Sequence, residues 1–426
     1  MAEGIDSPRV AGLAQERLDW RFKAVPAAAY GSTVADYLAS GPALDDLGTP
    51  LLTLDAAALS HNLATMAAWC ATAGVDLAPH GKTTMAPALW QQQLAAGCWG
   101  ITLANLPQLR VGRAFGLRRI HLANTLLDPA GLAWLAAELD GDPDFRFASW
   151  VDSERSVALM DAALRSAGAE RPVDVCVELG AAGGRTGCRD LDQAMAVAQA
   201  VDRAPTLRLT GVSGYEGALA HDAGDGALAA VERYLHDLAE LHRRLRSAGL
   251  LDDAEEELVT AGGSAYFDLV AQVLGPLSAD HGNTRVALRS GAYLVHDDGF
   301  YHSISPLARG AGPRPFRSAM HGWARVVSRP EPGLALLDGG KRDFPYDDGL
   351  PQPQLARGRG PLTAGRITAV NDQHAFLRDA AVEVGEVLRL GLSHPCTAFD
   401  KWSLIPVLDS ADSPRPRVVD LVRTFF

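Results

Sequence analysis

The sequence predicts an α/β protein, a (β/α)8 TIM-type barrel followed by an all-β C-terminal domain. Between residues 74 and 291, eight short apolar, β-branched runs alternate with Ala- and Leu-rich stretches of helical spacing. After about residue 305 the alternation stops, and strand-like runs follow one another with only Gly, Pro and Asp turns between them. A length of 426 residues leaves room for two or three domains that each bury a core.

Residues 1–46 carry mixed short segments that end in turn punctuation at ALDDLGTP, and are expected to form an N-terminal extension. The barrel is expected over 47–304. Its strands are placed at GVDLAPHGK (74–82), WGITLAN (99–105), RRIHLAN (118–124), FRFASWVDS (145–153), VDVCVELG (173–180), LRLTGVSGYEG (207–217), EELVTAGGS (256–264) and TRVALRSG (284–291). Helical stretches such as DPAGLAWLAAEL and DGALAAVERYLHDLAELHRRL lie between them. The first and eighth runs begin near 74 and 284, so seven intervals average about 30 residues, the length of a βα unit. An open, doubly wound sheet competes, because periodicity does not reveal strand order; the count of eight favours the barrel. In the β domain expected over 305–426, strands are placed in HGWARVVSRP, LALLDGG, GRITAVNDQHAFLRD, GEVLRLGL and SLIPVLDS, with DDGLPQPQLARGRGP as a loop.

Lys plus Arg total 39 against 51 Asp plus Glu, a formal charge of −12. An acidic surface repels phosphate backbones and anionic lipid, so no nucleic-acid or membrane partner is expected. A small anion could still bind in a local basic pocket. No apolar stretch is long enough for a membrane span, and the acidic start MAEGIDSPRV lacks the basic, then apolar pattern of a signal peptide. Five scattered cysteines without CxxC spacing argue against a disulfide framework and for a reducing, cytoplasmic setting.

In a barrel, chemistry collects where strands end. The first strand ends in Pro79-His80-Gly81-Lys82-Thr83. A lysine there is either a surface residue at a loop start or an amine whose desolvation makes it a Schiff-base nucleophile. The fifth strand leads into a glycine-rich loop carrying Arg185, a fixed cation suited to a carboxylate, phenolate or ring nitrogen unless it is merely solvated. Tyr215 and Glu216 end the sixth. Gly262, Gly263, Ser264 and Ala265 follow the seventh, and Tyr293 the eighth; small residues there let backbone N–H groups converge on an anion, although glycine turns are also common in barrels. In the β domain, His394-Pro395-Cys396 places an imidazole and a thiol two residues apart. In an extended strand both would face one ion, and this donor pair suits zinc, unless both simply pack. His374 is a further candidate from another strand-like segment, as a substrate contact or a neighbour of the metal donors.

Taken together, these motifs resemble the D-serine dehydratase and D-threonine aldolase group of pyridoxal-phosphate enzymes with the alanine-racemase fold. The resemblance covers about residues 48–408, through TPLLTLD, PHGKT, VELGAAGGRTGC, SGYEG, TAGGSAYFD, LRSGAYLVHD, NDQHAFL and LSHPCTAFDKW. It implies pyridoxal 5'-phosphate carried on Lys82, with Lys82 also the catalytic base. It further implies Arg185 and Tyr215 about the cofactor, its phosphate near Gly262–Ala265 and Tyr293, and a metal at His394 and Cys396. The His-x-Cys form resembles the dehydratases, whereas the aldolases usually carry His-x-Asp, which favours Zn2+ and dehydration. The implied activity is dehydration of D-serine or a related β-hydroxy D-amino acid to an α-keto acid and ammonia. A D-threonine-type aldolase and a non-catalytic pyridoxal-phosphate protein are the alternatives. The resemblance also implies a homodimer in which one chain's β domain helps to close the other's barrel mouth. Two motifs depart from the group's pattern. Leu179 and Ala181-Ala182 stand in the fifth-strand loop, and Asp372-Gln373-His374-Ala375 replaces Glu-Glu-His-Gly.

Overall fold

Each of the eight β-branched runs contains a strand. The computed structural model describes residues 4–280 and 282–426. After β1 (Leu51–Asp55) come β2 (Asp76–Leu77), β3 (Ile101–Leu103), β4 (Arg119–Leu122), β5 (Arg146–Val151), β6 (Val173–Leu179), β7 (Leu207–Gly214), β8 (Glu257–Ala261) and β9 (Thr284–Leu288). The strands β2 to β9 pair in parallel in the order β2-β9-β8-β7-β6-β5-β4-β3. The remaining gap is closed by a parallel bridge from His80 to Thr102, where the Thr102 N–H donates to the Pro79 carbonyl at 2.9 Å. The sheet is therefore a barrel, and the open-sheet alternative falls.

Helices start where side chains satisfy their first amides: Asn105, Asp128, Ser153 and Asp190 each accept from a backbone N–H in the following turn. Inside the barrel, Trp150, Cys176, Leu258 and Ala287 form one buried cluster drawn from β5, β6, β8 and β9. Burial pushes the Cys176 thiol up to about 12, so it is an inert packing group.

The chain divides by its internal contacts into two units, and not at residues 47 and 304. The first holds Ala67–Lys82 and Gln93–Gly291 with the described residues up to Asp6; the second holds Ser7–Met66, Thr83–Gln92 and Ala292–Phe426. The reason is pairing. The strand β1 lies antiparallel to β10 (Met320–Glu331) and parallel to β17 (Leu404–Leu408), so it belongs to the second sheet. Its last residue, Asp55, caps the Ala58 amide at 2.7 Å and also accepts from Ala411 N–H at 2.7 Å. The first 46 residues are likewise no detached extension: Leu44 N–H donates to the Pro416 carbonyl, and Arg423 pairs with Glu16 at 3.0 Å.

Besides β1, β10 and β17, the second sheet contains β11 (Leu334–Leu337), β12 (Gln352–Ala356), β13 (Gly360–Pro361), β14 (Arg366–Val370), β15 (Ala375–Arg378), β16 (Val387–Gly391) and β18 (Val418–Arg423). Its pairings are antiparallel apart from β1 with β17. Strands also lie where the sequence suggested none: β1 ahead of the first barrel strand, β12 and β13 within the expected loop, and β18 near the C-terminus. Among the described residues no helix is long and apolar enough to cross a membrane.

Candidate active site and metal donors

In the first unit, the expected residues gather at the C-terminal ends of the barrel strands. Lys82 lies in a single tight turn, Gly81–Thr83, just past β2, and is half-buried. The nearby His80 is half-buried, with its Nδ1 fully enclosed. Burial, together with the positive charges of Lys82 and Arg289 and the nearby His121, holds its imidazole well below its ordinary range and therefore neutral. Arg289, at the end of β9, donates to Thr260 Oγ1 at 2.8 Å and to the Gly214 carbonyl at 2.5 Å, and its guanidinium lies 5.1 Å from the Trp150 ring centre.

Arg185 and Tyr215 are brought together, with the guanidinium 4.6 Å above the ring. The loop that presents Arg185 leaves β6 and returns to bridge Leu179 with Cys188. Arg189 gathers it from below by donating to the carbonyls of Arg185, Thr186 and Gly187. At Gly187, with φ +98°, an added Cβ would stand 2.4 Å from Gly180 N, so this return admits no side chain.

Gly262 and Gly263 follow β8 as expected, but the amides assigned to a phosphate are otherwise engaged. Glu216 accepts from Gly262 N–H at 3.0 Å and from Gly263 N–H at 2.6 Å. The buried Glu216 carboxylate was the nearest strong acceptor, and its burial depended on a three-dimensional arrangement that the sequence did not reveal. Ser290 Oγ donates to the carbonyls of the same two glycines, at 3.1 and 3.0 Å. An added Cβ on Gly263 would come within 3.0 Å of Tyr215 Cε2, which makes Arg185, Tyr215 and Gly263 one packed edge. Ser264 and Ala265 complete the loop after them.

Glu178, missed as a site residue, ends the interior of β6. Burial raises its carboxyl to about 7, while Thr186 Oγ1 donates to Oε1 at 2.9 Å. Glu178 Oε2, His80 Nδ1 and Ser213 Oγ are buried without a hydrogen-bond partner.

In the second unit, Tyr293 is buried, with its ring centre 6.0 Å from that of Phe316. His394 and Cys396 do lie together, but not in a strand. His394 has left-handed backbone angles (φ 57°, ψ 84°), and Pro395 opens a short helix, Pro395–Phe399, that contains Cys396. Asp297 fixes this corner: its carboxylate accepts from the backbone N–H groups of Gly299, Tyr301, His302 and His394. Cys396 Sγ lies 3.4 Å from Thr83 Oγ1, and Thr83 is the residue that follows Lys82 in the chain.

Two acids that the sequence reading passed over join His394. Asp347 Oδ2 lies 2.6 Å and Asp348 Oδ2 3.1 Å from His394 Nδ1, and the three could offer ligand atoms within 4.8 Å of one another. Burial pulls the His394 imidazole down, but the Cys396 thiol and Asp347 carboxylate outweigh it and bring it to about 9. The doublet Asp347-Asp348 beside a glycine was the available sequence signal, though nothing in its spacing pointed to His394. His374 is not part of this group. It is exposed in the turn between β14 and β15, where its carbonyl accepts from Asn371 N–H at 2.8 Å.

Comparison with known proteins matches both parts of the chain. Residues 54–269 match the family model "Alanine racemase, N-terminal domain", and residues 319–408 match "Putative serine dehydratase domain". A D-threonine aldolase from Arthrobacter sp is 30% identical over 84% of this chain and 89% of its own. The crystal structure of D-threonine aldolase from Filomicrobium marinum superposes with a TM-score of 0.75 at 27% identity, covering 90% of this chain and 97% of that one. D-threo-3-hydroxyaspartate dehydratase from Delftia sp. HT23 shares the fold, with a TM-score of 0.71 at 23% identity over 90% of this chain and 99% of its own. The chain therefore belongs to the alanine-racemase-fold family of pyridoxal-phosphate enzymes, in the group that carries a serine dehydratase-type C-terminal domain.

Proposed function

We propose that this chain is a pyridoxal-phosphate-dependent lyase that dehydrates a β-hydroxy D-amino acid with the help of a bound metal ion, yielding an α-keto acid and ammonia. The observation that carries this reading is the nitrogen–sulfur pair of His394 and Cys396, set together at one corner of the second unit. β-Elimination needs a base at the α-carbon and a Lewis acid at the β-oxygen together. Lys82 as the base and a metal held by His394 and Cys396 would supply both.

The residues fit the two groups. The unpartnered buried atoms of His80, Glu178 and Ser213 suit a ligand bearing polar substituents, since buried polar atoms are ordinarily satisfied. Lys82 would hold pyridoxal phosphate, Arg185 and Tyr215 would flank it, and Ser264, Ala265 and Tyr293 would take its phosphate. When bound, the cofactor supplies an electron sink for charge that develops at the α-carbon. His394 and Cys396 offer nitrogen and sulfur, a donor set suited to zinc, which would supply a Lewis acid for the β-hydroxyl. With substrate and cofactor bound, Lys82 Nζ would be the base that takes the α-proton. The C–O bond breaks and the hydroxyl departs as water. The resulting enamine then hydrolyses to keto acid and ammonium without any net redox change. Arg185 would set a positive charge beside the cofactor, and the Tyr215 ring, 4.6 Å away, stacks on that guanidinium.

Aldol cleavage is the second reading, favoured by the 30% identity to a D-threonine aldolase. It calls for a base at the hydroxyl rather than at the α-carbon. A panel of D- and L-β-hydroxy amino acids separates the readings. Keto acid with ammonia supports dehydration, aldehyde with glycine supports cleavage, and neither product from any substrate contradicts both.

A further inference from the structure

The hydrogen bonds around His394 fix more than its position. Asp347 Oδ2 lies 2.6 Å from His394 Nδ1, and its other oxygen, Oδ1, accepts from Thr397 Oγ1 at 2.7 Å. An ionised carboxylate can only accept, so Nδ1 is the donor of that bond and is taken up by it, which leaves Nε2 as the ring nitrogen not held by Asp347. Thr397 is one residue past Cys396 in the helix Pro395–Phe399. The same carboxylate thus grips both sides of the His-Pro-Cys corner. Asp348 Oδ2 lies 3.1 Å from the same nitrogen, within ion-pair distance.

We infer that Asp347 is the positioning residue of the metal centre: it grips His394 through Nδ1, so that Nε2 is the nitrogen offered to a metal together with the Cys396 sulfur. This rests on the metal-assisted reading of the site. Asp347 acts through His394 rather than as a third ligand, because its two oxygens are already engaged by the imidazole and by Thr397. An anionic partner on the far nitrogen increases the donor strength of the near one and restricts rotation of the ring. Loss of such a partner commonly weakens metal affinity by roughly 10- to 100-fold.

The test is cobalt(II) titration of the cofactor-loaded protein against a competing chelator, read through the thiolate-to-cobalt charge-transfer band. Asp347→Ala should weaken affinity by roughly 10- to 100-fold while giving the wild-type band at saturation. Asp347→Asn keeps an acceptor without the charge, should recover part of the affinity, and guards against a folding defect in the alanine variant. Thr397→Val should shift affinity the same way by less. Unchanged affinity in Asp347→Ala overturns the inference, as does an altered band at saturation, which would make Asp347 itself a ligand. If the wild-type protein binds cobalt without any thiolate band, both the inference and the metal-assisted reading fall. If the wild type shows the band and only the Asp347 results disagree, the inference alone falls.

Discussion

Glu178 shows how far a barrel interior moves a single side chain. Burial raises its carboxyl from 4.5 to about 7, so the fold favours the protonated acid. The unfolded chain releases that proton near pH 4.5, and the folded chain releases it only near 7. Stability supplied by the neutral acid is therefore full below the unfolded value and is lost as pH rises through the folded one. In cofactor-free protein, Glu178→Gln should match wild type near about pH 4 and exceed it above about pH 8, by on the order of 3 kcal/mol. Urea unfolding at the two pH values checks this, and an equal gap at both would contradict it. Lys82 makes the second prediction at this scale. Lys82→Ala should lose the visible absorbance of the bound cofactor and its borohydride-reducible adduct, and an adduct found on another lysine would reassign the role. Lys82, Arg185 and Cys396 could be nominated from the sequence because a strand-end position or a short motif marks them. Glu178, Glu216 and Asp347 were not, since their importance arises from burial and from partners distant in the chain.

At the scale of elements, alternation of apolar runs located all eight barrel strands, because buried parallel strands are written as compact β-branched segments. The method failed for β12, whose Pro353 and Gln residues read as loop. It pairs with β16 through a register shift between Pro353 and Leu355, a place where a sheet accepts proline. It failed again at His394, where the rule that residues two apart share a strand face does not apply across a left-handed residue and a helix start. Asp297 holds that corner by accepting from four backbone amides. Asp297→Ala strands these donors and should destabilise the second unit by on the order of 3 kcal/mol in urea unfolding, with weaker metal binding. A near-neutral effect on both would show that the corner holds itself. In the first unit, Gly263→Val should press on Tyr215 and displace the Arg185 stack, lowering cofactor affinity several-fold more than it lowers apoprotein stability. Equal losses in the two would make Gly263 a packing glycine only.

The whole molecule brings residues from both ends of the chain into one sheet. The strand β1 pairs with β10 and β17, which neither local hydrophobicity nor spacing could announce, because pairing is a long-range choice. The homodimer implied by the resemblance remains a proposal of the same reading. Light scattering at micromolar concentration should give twice the 45.1 kDa chain mass, and a fully active monomer would contradict it. The central claim is that dehydration needs both the Lys82 base and a metal held by His394 and Cys396, and one measurement bears on it most directly. Cofactor-loaded wild-type protein, chelated protein and Cys396→Ala are each given the β-hydroxy D-amino acid that the panel identifies as substrate, and keto-acid release is followed. The account predicts that release nearly ceases in the latter two, while cofactor absorbance persists and α-proton exchange with solvent continues. Keto acid released at the wild-type rate without metal or without Cys396 would contradict it.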